Sequence, residues 1–114
     1  MCGRYNFDNE NEDMFAITKA LQGMEYKTGE ISPTNLAPVL AASGGSVAAG
    51  VMIWGFPNFR SKSGVLINAR AETAQEKKTF QKAVMTRRCV IPSTGFFEWK
   101  QGETKQKYLF THPD

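Results

Sequence analysis

Two cysteines and one histidine are all that this 114-residue chain offers a thiol- or imidazole-based centre. Cys2, Cys89 and His112 fall short of the four ligands a structural zinc site needs, so no metal is expected. Two thiols cannot build a disulfide framework either, and both are expected free in a reducing compartment. Ser93 has no base partner, and a cysteine hydrolase would have only His112 to turn to. No apolar run is long enough to cross a bilayer as a helix. The start, Met1-Cys2-Gly3-Arg4-Tyr5, lacks the apolar stretch of a signal peptide. A soluble cytoplasmic chain with no membrane partner is the expectation. Internal repeats and low-complexity tracts are also missing.

What is present fits one small globular domain: 41% hydrophobic and 22% charged residues over a length that suits a single core. The modest net charge of +3 hides an asymmetry. Arg60 to Lys107 holds 11 basic against 4 acidic residues, whereas residues 1–59 hold 3 against 6. The second half is therefore the candidate anion-binding half.

Periodicity and punctuation predict an α+β chain with mostly antiparallel strands. Met1 to Phe7 reads as extended. Asn9 to Gly23 reads as a short helix, with acidic residues at its start and Met14, Ile17 and Leu21 at helical spacing. Ser32 to Pro38 is expected to be a loop, bounded by prolines. Val39–Ala42 and Val47–Trp54 read as strands joined by Ser43-Gly44-Gly45-Ser46. Pro57 to Gly64 is a polar, cationic loop. Val65-Leu66-Ile67 reads as a buried strand. Thr73 to Val84 reads as a second helix, capped by Thr73, with Phe80 and Val84 on one face. Cys89-Val90-Ile91 reads as a further strand, its cysteine in the core. Gly95–Trp99 and Lys107–Thr111 form a hairpin around Gln101-Gly102.

Cys2 is the most informative position for chemistry. Once Met1 is removed, it carries an α-amine and a thiol on adjacent carbons. An α-amine has a pKa near ~7.7–8.0, so part of it is neutral and nucleophilic at pH 7. It can condense with an aldehyde, and the thiol can then close a thiazolidine ring. The plain alternative is a chance cysteine at a frayed terminus. Arg4, two residues on, shares a side with Cys2 in an extended segment and can hold a phosphate or lower the thiol pKa. Asn68, Arg70 and Glu72 follow an apolar run and precede a helix, where site residues are common. Asn68 can orient the amine and Arg70 can bind phosphate; local capping is the competing role. Glu98 lies in Phe96-Phe97-Glu98-Trp99, where apolar rings would suit a proton-transfer carboxyl. Strand alternation that leaves it solvated is the alternative. Trp54 is either a stacking platform or a core ring. Arg87-Arg88 adds charge.

Together these segments resemble the SRAP (SOS response-associated peptidase) family. The matching strings are Met1-Cys2-Gly3-Arg4-Tyr5, Asn35-Leu36-Ala37-Pro38, Trp54-Gly55-Phe56-Pro57, Ile67 to Thr73, Arg88-Cys89-Val90-Ile91-Pro92 and Gly95-Phe96-Phe97-Glu98-Trp99. They run in family order over nearly the whole chain. The resemblance implies one SRAP-like domain over 1–114, of sheet or open-barrel form with two short helices, covering the N-terminal part of the usual domain. It implies autocatalytic loss of Met1 and a thiazolidine crosslink from Cys2 to abasic sites in single-stranded DNA. Asn68 and Glu98 take the further catalytic positions. Arg4, Arg70, Trp54, Pro38 and Arg88 fall on the DNA-binding side. No cofactor is implied, and a nucleoid-associated cytoplasmic location is. The family also carries a later histidine whose motif His112 does not occupy. A DNA-gripping module without chemistry is therefore the second expectation, and a cysteine hydrolase the third.

Overall fold

Strand β1, Arg4–Phe7, shows why a short segment can organise a sheet. Tyr5 and Phe7 alternate with polar Arg4 and Asn6, so one face can be buried and the other wetted. The computed structural model describes residues 3–61 and 64–113, and β1 lies inside its four-stranded sheet. Its neighbours are β2 (Gly29–Ile31) and β8 (Gly95–Lys100), with β9 (Gln106–Phe110) outside β8. All pairings are antiparallel, with Tyr5 opposite Ile31 and Phe96, and Glu98 opposite Tyr108. Thr94 fixes the β1–β8 junction: its N–H donates to the Asn6 carbonyl at 2.8 Å, and its hydroxyl oxygen accepts from Asp8 N–H at 3.0 Å.

A second sheet has the order β4-β3-β7, from β3 (Leu36–Ser43), β4 (Ser46–Ile53) and β7 (Cys89–Val90). The β3–β4 hairpin turns on Gly44 and Gly45, both at positive φ, as a two-residue primed turn requires. Two short strands, β5 (Phe56–Pro57) and β6 (Val65–Leu66), pair separately. Before them Gly55 sits at φ +121°, where an added Cβ would stand 2.9 Å from that of Val65, so only glycine fits.

Several expectations shift. The first helix starts late, as a turn at Glu12–Met14 followed by α1 (Phe15–Ala20). Asp8 causes this, because its carboxylate accepts from Glu10 N–H at 3.0 Å and holds the preceding residues in a local turn. The second helix, α2, spans Lys78–Thr86 rather than starting at Thr73. Residues 70–77 form separate turns, and Lys77 is extended (φ −75°, ψ 127°), which breaks continuity. Pro38 lies in β3 and not in a loop. It is tolerated there because β7 pairs only with Leu40 and Ala41.

The core is small and gathers Phe7, Ile31 and Ala37, with Tyr5, Met14, Ile17, Tyr26 and Trp54 packed around it. Burial of the Tyr5 ring pushes its phenol up to about 12. Leu21, Pro38 and Val39 are also buried, and many of the remaining apolar residues stay open. Cys89 is exposed rather than core, and Val65 and Ile67 are not buried. Both residues of β7 are exposed, whereas Leu66 of β6 is half-buried. The radius of gyration of 15.7 Å fits this looseness; a compact chain of this length would measure ~13 Å.

Candidate nucleic-acid interface

The β5–β6 connection and the start of α2 enclose a groove of about 370 Å³. Its loop side is shaped by Asn58, whose side-chain carbonyl accepts from Arg60 N–H at 3.1 Å. Its helix side is pinned by Phe80, which meets Phe56 edge-on at 5.1 Å between centroids. Three cations line it (Arg60, Arg70 and Lys77), along with the amides of Asn58 and Asn68. Phe59, almost fully exposed, and Phe80 supply ring surface, and none of the described lining residues is acidic. Cations, amide groups and open rings together suit a phosphodiester chain with unstacked bases.

Asn68 and Arg70, expected from the sequence, thus meet in one place. Glu72 reaches only the outer side of Arg70, at 3.7 Å between highly exposed groups, a pair of little energetic weight. Arg60, Lys77 and Phe59 had not been singled out. The cationic character of the 57–64 loop was the available signal for Arg60; nothing local announced Lys77, which is brought in by the turn at 70–77.

Arg4 and Glu98 lie elsewhere, on the four-stranded sheet, and line no part of that groove. The register sets them on opposite faces. Arg4 is opposite Phe97, and Lys107 is opposite Trp99, so these four share one face. There Arg4 Nη1 donates to Glu30 at 3.2 Å, Lys107 pairs with the same carboxylate, and the Lys107 ammonium stands 4.5 Å from the Phe97 ring centroid. The two cations hold the Glu30 carboxyl below the usual carboxylate range, chiefly through the Lys107 hydrogen bond. Half-buried Glu98 projects to the other face, opposite Tyr108. That face also carries Phe96 and Phe110, stacked at 5.1 Å, so the rings sharing a face with Glu98 are Phe96 on its own strand and Tyr108 and Phe110 on the next, and not Phe97 and Trp99.

The remaining expected positions have packing roles in this structure. Trp54 is half-buried, 5.5 Å from Tyr5, with its backbone bonded to Thr34 and Asn35. The Pro38 ring is fully buried and presents no surface. Arg88 donates from Nε to the Val84 carbonyl at 2.8 Å, closing the end of α2. Cys2 lies outside the described residues.

An α+β chain beginning Met-Cys, with an asparagine and arginine in a basic groove after β6, matches one family along its full length. The family model of the SOS response associated peptidase (SRAP) covers residues 1–114, and the chain belongs to that family. Its relatives include the abasic site processing protein YoqW of Bacillus subtilis, 33% identical over 94% of this chain and 51% of that protein. Another is the abasic site processing protein YedK of Escherichia coli, 29% identical over 100% of this chain and 55% of that one. A solved structure from Bordetella bronchiseptica superposes with a TM-score of 0.73 at 21% identity, covering 98% of this chain and 58% of the other, and so shares the fold. The chain spans about half the length of the curated relatives it matches.

Proposed function

We propose that this chain processes abasic sites by forming a covalent adduct with single-stranded DNA through Cys2. The observation that carries the reading is the basic groove, in which Asn68 and Arg70 stand with two further cations and two rings. Membership of the SRAP family, with relatives named as abasic site processing proteins, supports it.

The chemistry balances without an outside reagent. The Cys2 amine, freed by removal of Met1, adds to the ring-opened sugar aldehyde and expels one water to give an imine. The thiol sulfur then bonds to the imine carbon, and its proton ends on nitrogen, closing a thiazolidine. A proton must move in both steps, a task suited to the carboxyl of Glu98. Asn68 can orient the amine through its side-chain carbonyl. Removal of Met1 by the chain itself belongs to the same reading, because an amide nitrogen at Cys2 cannot form the imine.

Gel electrophoresis of the chain with an oligonucleotide carrying one abasic site tests the proposal. Wild type lacking Met1, as verified by intact mass, gives a heat-stable shifted band; Cys2→Ala gives none. A wild type of verified mass that forms no band sinks it. Salt-dependent binding unaffected by Cys2→Ala, with no adduct at any time, identifies a DNA-gripping module instead. Glu98→Gln slows adduct formation by ~10²-fold, the range of a lost general acid or base, and Asn68→Ala slows it by leaving the amine unoriented. Wild-type rates in both would make these positions structural.

A further inference from the structure

One carboxylate on this molecule holds two cations that come from different strands. Glu30, on the β2 edge, presents Oε2 to Arg4 Nη1 at 3.2 Å and Oε1 to the Lys107 ammonium. Arg4 belongs to β1, and Lys107 to β9 at the opposite edge of the sheet. The link therefore crosses all four strands. It runs over an aromatic floor, with the ammonium 4.5 Å from the Phe97 centroid and 5.6 Å from that of Trp99. The Arg4 and Lys107 side chains remain 40% and 42% exposed, so a ligand can reach both.

Two cations converge on this one carboxylate, and both are partly open to solvent. A guanidinium can present several N–H groups in a planar fork, and an ammonium has three donors. One acid that aligns both makes them a shaped receptor for a tetrahedral anion rather than two wandering charges. Arg4 is also two residues from Cys2 in the sequence, so its orientation bears on the reacting terminus.

We propose that Glu30 is a positioning residue, fixing Arg4 and Lys107 side by side to receive one backbone phosphate of the DNA strand that Cys2 attacks. This rests on the crosslinking reading for its kinetic consequence and on DNA binding alone for its charge geometry. Glutamine at position 30 keeps one acceptor but turns an NH₂ group toward the other cation, so the pair separates.

The experiment uses this chain after removal of Met1. Affinity for an undamaged oligonucleotide is measured across salt, and the single-turnover adduct rate is measured with saturating abasic oligonucleotide. Glu30→Gln binds undamaged DNA at least as tightly as wild type, because a negative charge is gone, yet reacts roughly tenfold more slowly at saturation because the strand is misaligned. Loss of packing alone would not strengthen binding while slowing reaction. Lys107→Ala lowers the salt slope by about 0.7, the value for one phosphate contact on a single strand, and Lys107→Arg restores it. An unchanged saturated rate in Glu30→Gln, or an unchanged slope in Lys107→Ala, overturns the proposal. If wild type forms no adduct, it is the crosslinking reading that fails. The binding cycle of Glu30→Gln with Lys107→Ala then decides this one: additive effects refute a shared receptor and coupled effects support it.

Discussion

The two halves of this chain have different physical tasks. Every buried residue described lies between Phe7 and Val39, apart from Pro92. From Arg60 to Lys107 the chain instead carries 11 basic residues and 4 acidic ones. The contrast runs through a single sheet. Tyr5, Phe7 and Ile31 continue on one face into Phe96, Tyr108 and Phe110, yet Phe7 and Ile31 are fully buried while the last three are 41–49% exposed. The alternation is the same on both sides; what differs is the layer above. α1 and the start of β3 cover the β1–β2 side, and no described element covers the β8–β9 side. Packing free energy is thus concentrated in the first third, leaving the rest of the surface to bind.

The sharpest way to break the comparison is to truncate one ring from each side. Phe7→Ala loses both transfer free energy and packing around a closed cavity, and is expected to cost ~3–5 kcal/mol. Against a total stability on the order of 5–15 kcal/mol, that leaves little. Phe110→Ala removes a half-exposed ring and costs under ~1 kcal/mol. Urea unfolding followed by tryptophan fluorescence reads both. Equal losses would mean that the exposed face is packed in solution, and the division of tasks would fall.

A smaller effect checks the binding half. Arg70→Ala is expected to leave the urea midpoint almost unmoved, since its pairing with Glu72 is highly exposed. It should reduce the slope of log affinity against log salt by ~0.7 for single-stranded DNA. A shifted midpoint with an intact slope would place Arg70 among the structural residues.

Much of this was legible locally. The extended start of the chain and the Gly44-Gly45 turn act within a few residues, whereas the first helix ends at Ala20, short of the expected Gly23. Helix starts were less so. Asp8 diverts the chain by a side-chain bond that competes with helix formation, and the extended Lys77 splits what periodicity joined. Burial of Cys89, Val65 and Ile67 could not be read, because an apolar run states a tendency and not the presence of a cover. The site divides the same way. Asn68 and Arg70 stood out at a strand end, whereas Arg60 and Lys77 reach the groove only because a loop and a helix start converge. Glu98 was read beside Phe97 and Trp99; pleating separates them and brings Tyr108 instead.

The smallest expected effect concerns acid, and it tests whether the Glu30 link ties the two halves together. Lys107, through its hydrogen bond first and its charge second, and Arg4 favour the ionised carboxylate more than desolvation opposes it, so the folded-state pKa lies below the ordinary 4.5. The unfolded chain takes up the proton first. The stabilisation is therefore full above about pH 4.5 and is lost as pH falls through the folded value. For a partly exposed cluster the amount is under ~1 kcal/mol and shrinks in salt. Melting temperatures of wild type and Glu30→Gln should differ by a constant margin near neutral pH and converge as pH falls below the ordinary carboxylate range at low ionic strength. Convergence also in Lys107→Ala would assign the effect to Arg4 alone. A flat wild-type difference down to acid pH would mean that the carboxylate does not bridge the strands in solution, and that the basic half is held to the core by β1–β8 pairing without its help.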